Sequence, residues 1–258
     1  MSSILFEIKN SIAFITLNRP EKYNAFNREM ALLLLQRLDE CGSDKNVRCV
    51  YITGAGKAFS AGQDLAEVTD PHGPGMKKIL GEHYNPVIKS IRNLNKPVVA
   101  AINGVAAGAG ANIALCCDVV IASESASFIQ AFSKIGLIPD SGGTYFLPRL
   151  IGMQKASALM MLGEKVSAME AERIGMIYKF FPDQSFSEEA IKIASIFAQL
   201  PTNAIAYTKQ ALNKSLYQDL DQQLQTEDQL QQQAALTKDF HEGVAAFLEK
   251  RKPEFKGE

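Results

Sequence analysis

Two passages rich in glycine and alanine, and one aspartate, are the residues of this chain best suited to chemistry on a carbonyl group. The first passage, Gly104-Val105-Ala106-Ala107-Gly108-Ala109-Gly110, follows an apolar stretch over 97–102 and leads into a short helix-like pattern over 111–117. Small residues let another group approach the backbone closely. The first turn of a helix also carries free N–H groups at the positive end of its dipole. Together these features suit negative charge developing on an oxygen, although the same small residues would equally serve tight packing. The spacing G-x-x-x-G-x-G does not fit the dinucleotide fingerprint G-x-G-x-x-G. The second passage, Lys57-Ala58-Phe59-Ser60-Ala61-Gly62-Gln63-Asp64-Leu65, also follows an apolar strand and could bring a second N–H to the same oxygen. By itself it reads equally as a surface loop. Asp140 stands between Pro139 and Ser141-Gly142-Gly143, where it could cap a helix or work as an acid or base.

The elements that must position these groups follow from the pattern of the chain. Residues 4–9 and 12–17 alternate as two strands joined by a tight turn at Asn10-Ser11. Asn27 reads as the N-cap of a helix running to about residue 40, with Met30, Leu33, Leu34 and Leu38 on one face. Residues 49–53 form a short apolar strand. Residues 70–75 are turn-rich, and a helix is predicted over about 76–94. Residues 118–122 and 127–131 read as strands. Short strands alternating with helices predict an α/β fold. Beyond Gly142 the chain reads almost wholly as helix, with a capping box at Ser167-Ala168-Met169-Glu170. Pro201 separates a core over 1–200 from a helical region over 201–258. The glutamine-rich run over 222–233 reads as an amphipathic helix carrying Leu224 and Leu230.

Composition narrows the function classes. The 258 residues are 47% apolar and 21% charged, an ordinary globular balance, and the net charge of −1 gives no reason to expect nucleic acid or a membrane as partner. The N-terminus lacks the pattern of a signal peptide, and no apolar stretch approaches the ~20 residues of a membrane helix, so a cytoplasmic location is expected. Cys41, Cys49, Cys116 and Cys117 lack metal-ligand spacing and read as buried thiols. His72, His83 and His241 are scattered, so no metal site is expected. Asp118 and Glu124 read as surface or turn acids, His83 as a surface residue, and Lys134 and Arg149 as salt-bridge partners.

The ordered set of motifs resembles the crotonase (enoyl-CoA hydratase/isomerase) family. Asn18-Arg19-Pro20-Glu21-Lys22-Tyr23-Asn24-Ala25-Phe26 is similar to its N-terminal loop, and Asn103-Gly104-Val105-Ala106-Ala107-Gly108-Ala109-Gly110 to its glycine signature. Gly136-Leu137-Ile138-Pro139-Asp140-Ser141-Gly142-Gly143-Thr144 and the ending Phe247-Leu248-Glu249-Lys250-Arg251-Lys252-Pro253-Glu254-Phe255 complete the set. The resemblance implies a spiral of ββα units with C-terminal helices that build a trimer or hexamer. It implies an acyl-CoA substrate, with coenzyme A as part of that substrate and no separate cofactor. It puts oxyanion-hole donors on the N–H groups of Ala61 and Ala109. Around Lys22, Ala25, Ser60, Gln63, Asp64 and Leu65 it implies contacts to coenzyme A, with Phe247 and Lys250 reaching a neighbouring subunit's coenzyme A.

The reaction turns on what is missing. Hydratases of the family use two glutamates, and the corresponding positions here are Asn112 and Phe132. Neither can supply the acid/base pair that adding water requires. Asp140 occupies the position of the catalytic aspartate of several family isomerases, and the run over 131–144 resembles isomerases acting on a ring epoxide of phenylacetyl-CoA. Phe132 would suit an aromatic acyl group and would equally suit a core. The expected activity is an acyl-CoA isomerase, with hydration of an enoyl-CoA and non-catalytic acyl-CoA binding as the competing readings. Some family members bind RNA through a lysine-rich helix; the helix after Asn27 contains Arg28 and Arg37 but no lysine.

Overall fold

The computed structural model describes residues 2–258. Among the described residues ten strands form two sheets. The larger contains β1 (Ile4–Lys9), β2 (Ile12–Leu17), β3 (Cys49–Gly54), β5 (Val98–Ile102), β7 (Val119–Ser123) and β10 (Lys179–Phe181), in the order β1-β2-β3-β5-β7-β10. The smaller contains β4 (Ala58–Ser60), β6 (Val105–Ala107), β8 (Ser127–Ile129) and β9 (Lys165–Ser167), in the order β4-β6-β8-β9. Only β1–β2 and β8–β9 pair antiparallel. Three times the chain lays a strand in the large sheet and then one in the small sheet (β3 to β4, β5 to β6, β7 to β8), advancing one position in both. This is the expected spiral.

The β1–β2 hairpin turns at Asn10 and Ser11, with φ of 51° and 61°. Two consecutive positive φ values match the right-handed twist of a two-residue hairpin. Every residue of β5 is buried, as a parallel strand covered on both faces must be. Its side chains alternate between two cores. Val98, Ala100 and Ile102 meet the cluster that contains Leu34, Ile91 and Ile113, whereas Val99 and Ala101 meet the helix Asp183–Gln199 through Phe186, Ala190, Ala194 and Ala198. All four cysteines are free and buried, and burial pushes the Cys41 thiol up to about 12. Among the described residues no helix is long and apolar enough to cross a membrane, and no group of three or more His, Cys, Asp or Glu side chains could hold a metal ion.

Several local expectations are corrected. Two strands, β9 and β10, interrupt the helices after Gly142. Only half of the capping box forms: the Ser167 hydroxyl accepts from Glu170 N, while the Glu170 carboxylate turns to Arg173. In the helix Leu220–Ala235, Leu230 is buried but Leu224 is 53% exposed. Asp118 is no surface acid. It accepts from Lys209 Nζ (2.7 Å), Val98 N (2.8 Å) and Arg92 Nη1 (3.2 Å), which pins the helix Thr202–Ser215 to the start of β5. Lys134 makes no ion pair among the described residues, and Arg149 lies over the Tyr145 ring at 3.9 Å. The C-terminal tail folds back onto the core, its Phe255 carbonyl accepting from Arg48 Nη1.

The helical stretch from Gly75 to Asn93 contains a wider turn over Ile79–Tyr84. Pro86 has no N–H to continue the ordinary ladder, and Asn85 N instead bonds five residues back to Leu80 O. This widening of the helix turns Ile79, His83 and Tyr84 inward. His83, expected on the surface, is 1% exposed with Nε2 unpartnered, and burial lowers its pKa.

Candidate active site

A cavity of about 460 Å³ opens where the exits of β4 and β6 meet the segment over 131–140. Its walls are Leu65, Val68, Met76, Ile79, Phe132 and Leu137, an apolar chamber closed on one side by the inward face of the widened helix. Ala61, Gly62, Gln63, Gly108 and Ala109 bring backbone to its surface, and Asp140 supplies its one carboxylate among the described residues.

The two glycine- and alanine-rich passages converge as expected, but one donor is not the expected one. Ala61 N already donates to Tyr23 O at 2.9 Å. Residues 62–64 then form a parallel bridge with Phe26, in which Gly62 O accepts from Phe26 N and Asp64 N donates to Phe26 O. Successive N–H groups of an extended chain point to opposite sides, so Gln63 N–H points away from Phe26 and has no protein acceptor among the described residues. Ala109, the first residue of the helix Ala109–Leu115, likewise has an N–H with no protein acceptor. The pair of free donors at the cavity is therefore Gln63 and Ala109. Gly62 makes their approach possible: its φ is +92°, and a Cβ there would lie 2.8 Å from Ala107 O and 3.3 Å from Ala109 N.

Asp140 does not cap a helix with its side chain. Gly142 precedes the helix Gly143–Ile151, and it is the Asp140 carbonyl that accepts from Gly143 N (2.8 Å) and from Asn112 Nδ2 (2.9 Å). The Asp140 carboxylate accepts from Ser141 Oγ at 2.8 Å. Burial pushes its pKa up, and the Ser141 hydroxyl opposes this by favouring the charged form. Ser141 (φ +50°) and Gly142 (φ +74°) both take left-handed conformations to turn the carboxylate into the chamber.

The remaining expected site residues separate into those that face the cavity and those that hold the loops. Gln63, Leu65 and Phe132 line the cavity. Ser60 does not: it is fully buried, donating to Asn24 O (2.8 Å) and accepting from Gly62 N (3.2 Å). Asp64 pairs with Arg19 at 2.8 Å and caps the short helix Leu65–Thr69, so its carboxylate is engaged within the chain. Ala25 is buried and its carbonyl accepts from Arg19 Nη1. Lys22 is exposed at the end of the single helical turn Pro20–Lys22. Phe247 lines a separate groove among the C-terminal helices, and Lys250 is the exposed left-handed residue that ends the helix Lys238–Glu249. Sequence reasoning missed the roles of Ser141 and Tyr84. Tyr84 Oη, at the cavity, donates to Gln63 Oε1 at 2.7 Å, and Gln63 Nε2 donates to Glu67 at 2.8 Å.

The arrangement can polarise one oxygen with two N–H groups and move a proton with one carboxylate. Comparison with known proteins agrees in kind. Residues 7–258 match the family model described as enoyl-CoA hydratase/isomerase. The chain is similar to the "1,2-epoxyphenylacetyl-CoA isomerase" of Escherichia coli, at 44% identity covering 100% of this chain and 99% of the relative. It is equally similar to a protein of Rhodobacter capsulatus named "Probable enoyl-CoA hydratase", at 44% identity over 99% of this chain and 98% of the relative. Among solved structures, an enoyl-CoA hydratase from Bacillus anthracis superposes with a TM-score of 0.92 at 35% identity, covering 99% of this chain and 100% of that one.

Proposed function

The chain belongs to the enoyl-CoA hydratase/isomerase family, and within it we propose an acyl-CoA isomerase that moves a proton with Asp140. Its substrate on this reading is 2-(1,2-epoxy-1,2-dihydrophenyl)acetyl-CoA, and it also shifts the double bond of enoyl-CoA thioesters. The observation that carries the reading is that Asp140 is the one carboxylate in a mostly apolar chamber beside two free N–H groups, among the described residues.

The thioester oxygen accepts from Gln63 N and Ala109 N, which stabilises an enolate-like state and makes the neighbouring carbon acidic. Asp140 takes the proton and returns it elsewhere on the acyl group. Substrate and product have the same composition, so one carboxylate suffices. Burial raises the basicity of that carboxylate and so strengthens it for the task. Adding water would need a second acid/base group. Asn112 is occupied by hydrogen bonds to Asp140 O and Gln130, and Phe132 presents only a ring. That ring and the apolar walls suit an aromatic acyl group. The similarity to the epoxyphenylacetyl-CoA isomerase supports the same choice. Enoyl-CoA hydration is the second reading, favoured by the equally similar Rhodobacter protein.

The exposed row Phe247 and Leu248 supports a homo-oligomer, trimer or hexamer, in which Phe247 and Lys250 meet a neighbouring subunit's coenzyme A. Lys22 is the exposed cation on the N-terminal loop suited to its phosphates.

The test is product analysis by chromatography and mass spectrometry, with wild type and Asp140→Asn, on crotonyl-CoA, a 3-enoyl-CoA and the ring-epoxide thioester. Isomerisation of one of the last two, lowered about 10²–10⁴-fold in the variant, is the expected result. Products heavier by one water would establish the hydratase, and an unimpaired variant would remove Asp140 from the chemistry.

A further inference from the structure

We propose that Asn112 is a positioning residue for the base, tying the Asp140 loop to the helix that carries the Ala109 N–H, with Gln130 fixing the sense of that tie. The inference rests on the reading of Asp140 as the proton carrier.

Asn112 lies one turn beyond Ala109 on the helix Ala109–Leu115 and is 1% exposed. Its Nδ2 donates to Asp140 O at 2.9 Å, and its Oδ1 accepts from Gln130 Nε2 at 2.8 Å. The polarity of this chain is forced. A backbone carbonyl can only accept, so residue 112 must present a donor to it. Its own oxygen then faces Gln130, which must present its amide nitrogen in turn. Gln130 is 2% exposed and its Oε1 is left without a partner, so the ordering is retained at the cost of one buried acceptor. The three residues join three separate pieces of the site: the end of β8, the helix that starts at Ala109, and the Asp140 loop.

The loop needs such a hold. Ser141 is a non-glycine residue at φ +50°, followed by Gly142 at +74°, a conformation that surrounding contacts must keep in place. The fit on the far side is close. A Cβ at Gly143 would lie 2.3 Å from Asn112 Nδ2, so residue 143 must be glycine for the amide to occupy this place. A carboxylate at 112, as in the hydratases, would set an acceptor against the Asp140 carbonyl. The amide therefore does more than remove a second acid: it holds the first one in register with the oxyanion donors.

The experiment uses the full chain with a 3-enoyl-CoA and four proteins: wild type, Asn112→Asp, Asn112→Leu and Asp140→Asn, plus Asn112→Asp in the Asp140→Asn background. Aspartate has the shape of asparagine without the donor, and leucine keeps the branched shape without charge, so one serves if the other fails to fold. Loss of register predicts kcat lower by about 10- to 100-fold, with KM within about twofold because residue 112 does not line the cavity. The low-pH limb of kcat moves up in Asn112→Asp, because a second carboxylate beside Asp140 disfavours its ionisation. The infrared carbonyl band of a bound thioester stays where wild type has it, since the Gln63 and Ala109 donors are intact. In the Asp140→Asn background the change at 112 adds less than about twofold. Wild-type kcat and pH limb in both 112 variants, beside an impaired Asp140→Asn, would sink the tie alone. A carbonyl band displaced together with kcat would also overturn it, since the helix itself would then have moved. Full turnover by Asp140→Asn would remove the base, and both readings with it.

Discussion

Replacing Gly62 by alanine tests the oxyanion site through its backbone alone. The new methyl would stand 2.8 Å from Ala107 O and 3.3 Å from Ala109 N, so either the 61–63 segment or the 107–109 segment must retreat. Loss of one preorganised donor of this kind lowers kcat by about 10²–10³-fold. The backbone conformation at φ +92° adds strain of about 1–3 kcal/mol for a residue with a Cβ. At about 2–4 °C per kcal/mol for a chain of this size, the melting temperature falls by roughly 2–12 °C. Gly56→Ala is the matched control. It sits at φ +72° and its Cβ would meet only Pro20 Cβ, at 3.1 Å. It should lose stability of the same order while keeping kcat. Steady-state isomerisation of a 3-enoyl-CoA, scanning calorimetry, and the infrared band of a bound thioester carbonyl read the three quantities. A folded Gly62→Ala enzyme with wild-type turnover and an unshifted carbonyl band would refute the assignment of the donors. An equal loss of kcat in Gly56→Ala would show that strain, not the donor, is responsible.

Other perturbations have equally definite outcomes. Ser141→Ala removes the hydroxyl that favours ionised Asp140, so the low-pH limb of kcat should move to higher pH; an unmoved limb would mean that this hydrogen bond does not bear on the base. Asp140→Asn should raise the melting temperature at neutral pH and not near pH 4. The folded carboxyl holds its proton above the ordinary value, so its ionisation costs folding free energy only once pH rises past the unfolded value, and that cost is complete above the folded value. Calorimetry across pH 4–8 that finds a gain independent of pH would contradict this. Lys209→Met leaves Asp118 with Arg92 and Val98 N as its remaining partners, and should cost about 3 kcal/mol in denaturant unfolding; a change under about 0.5 kcal/mol would show the pair to be dispensable. Tyr84→Phe frees the Gln63 side chain from one of its three hydrogen bonds and should lower kcat more than it changes the melting temperature.

Much of this architecture is legible in the chain because it depends on local rules. The Asn10-Ser11 turn, the Asn27 cap (its Oδ1 accepts from Met30 N) and the two-faced burial of β5 follow from neighbouring residues. Asp140 could be singled out from its surroundings of proline, serine and glycine, and it does line the chamber. What escaped depends on partners distant in sequence or on single dihedral angles. Asp118 reads as a turn acid until Lys209, 91 residues away, is folded against it. Ser60 reads as a contact to coenzyme A until the Asn24 carbonyl, 36 residues earlier, accepts its hydrogen bond. His83 is drawn inward by a widening of the helix that the missing N–H of Pro86 brings about downstream of it. The choice between Ala61 and Gln63 as donor turns on the Tyr23 carbonyl, which accepts from Ala61 N and leaves Gln63 N free. Composition cannot report that partner.

The place of the two donors has a consequence for how such a protein changes its chemistry. Gln63 follows β4 and Ala109 follows β6, and these strands are hydrogen-bonded parallel neighbours whose register shifts between Ala58 with Val105 and Ser60 with Ala106. The two N–H groups are thereby carried toward one another by the backbone that leaves two neighbouring strands of one sheet. That approach depends on backbone and on the missing side chain of Gly62, not on the side chains of the chamber walls. Carbonyl activation is therefore a property of the lattice, indifferent to substitutions on the chamber walls, whereas the proton carrier is a side chain on a separate loop and can be exchanged, moved or deleted. A new reaction on the same thioester requires new side chains only, with the electrophile already activated by the sheet.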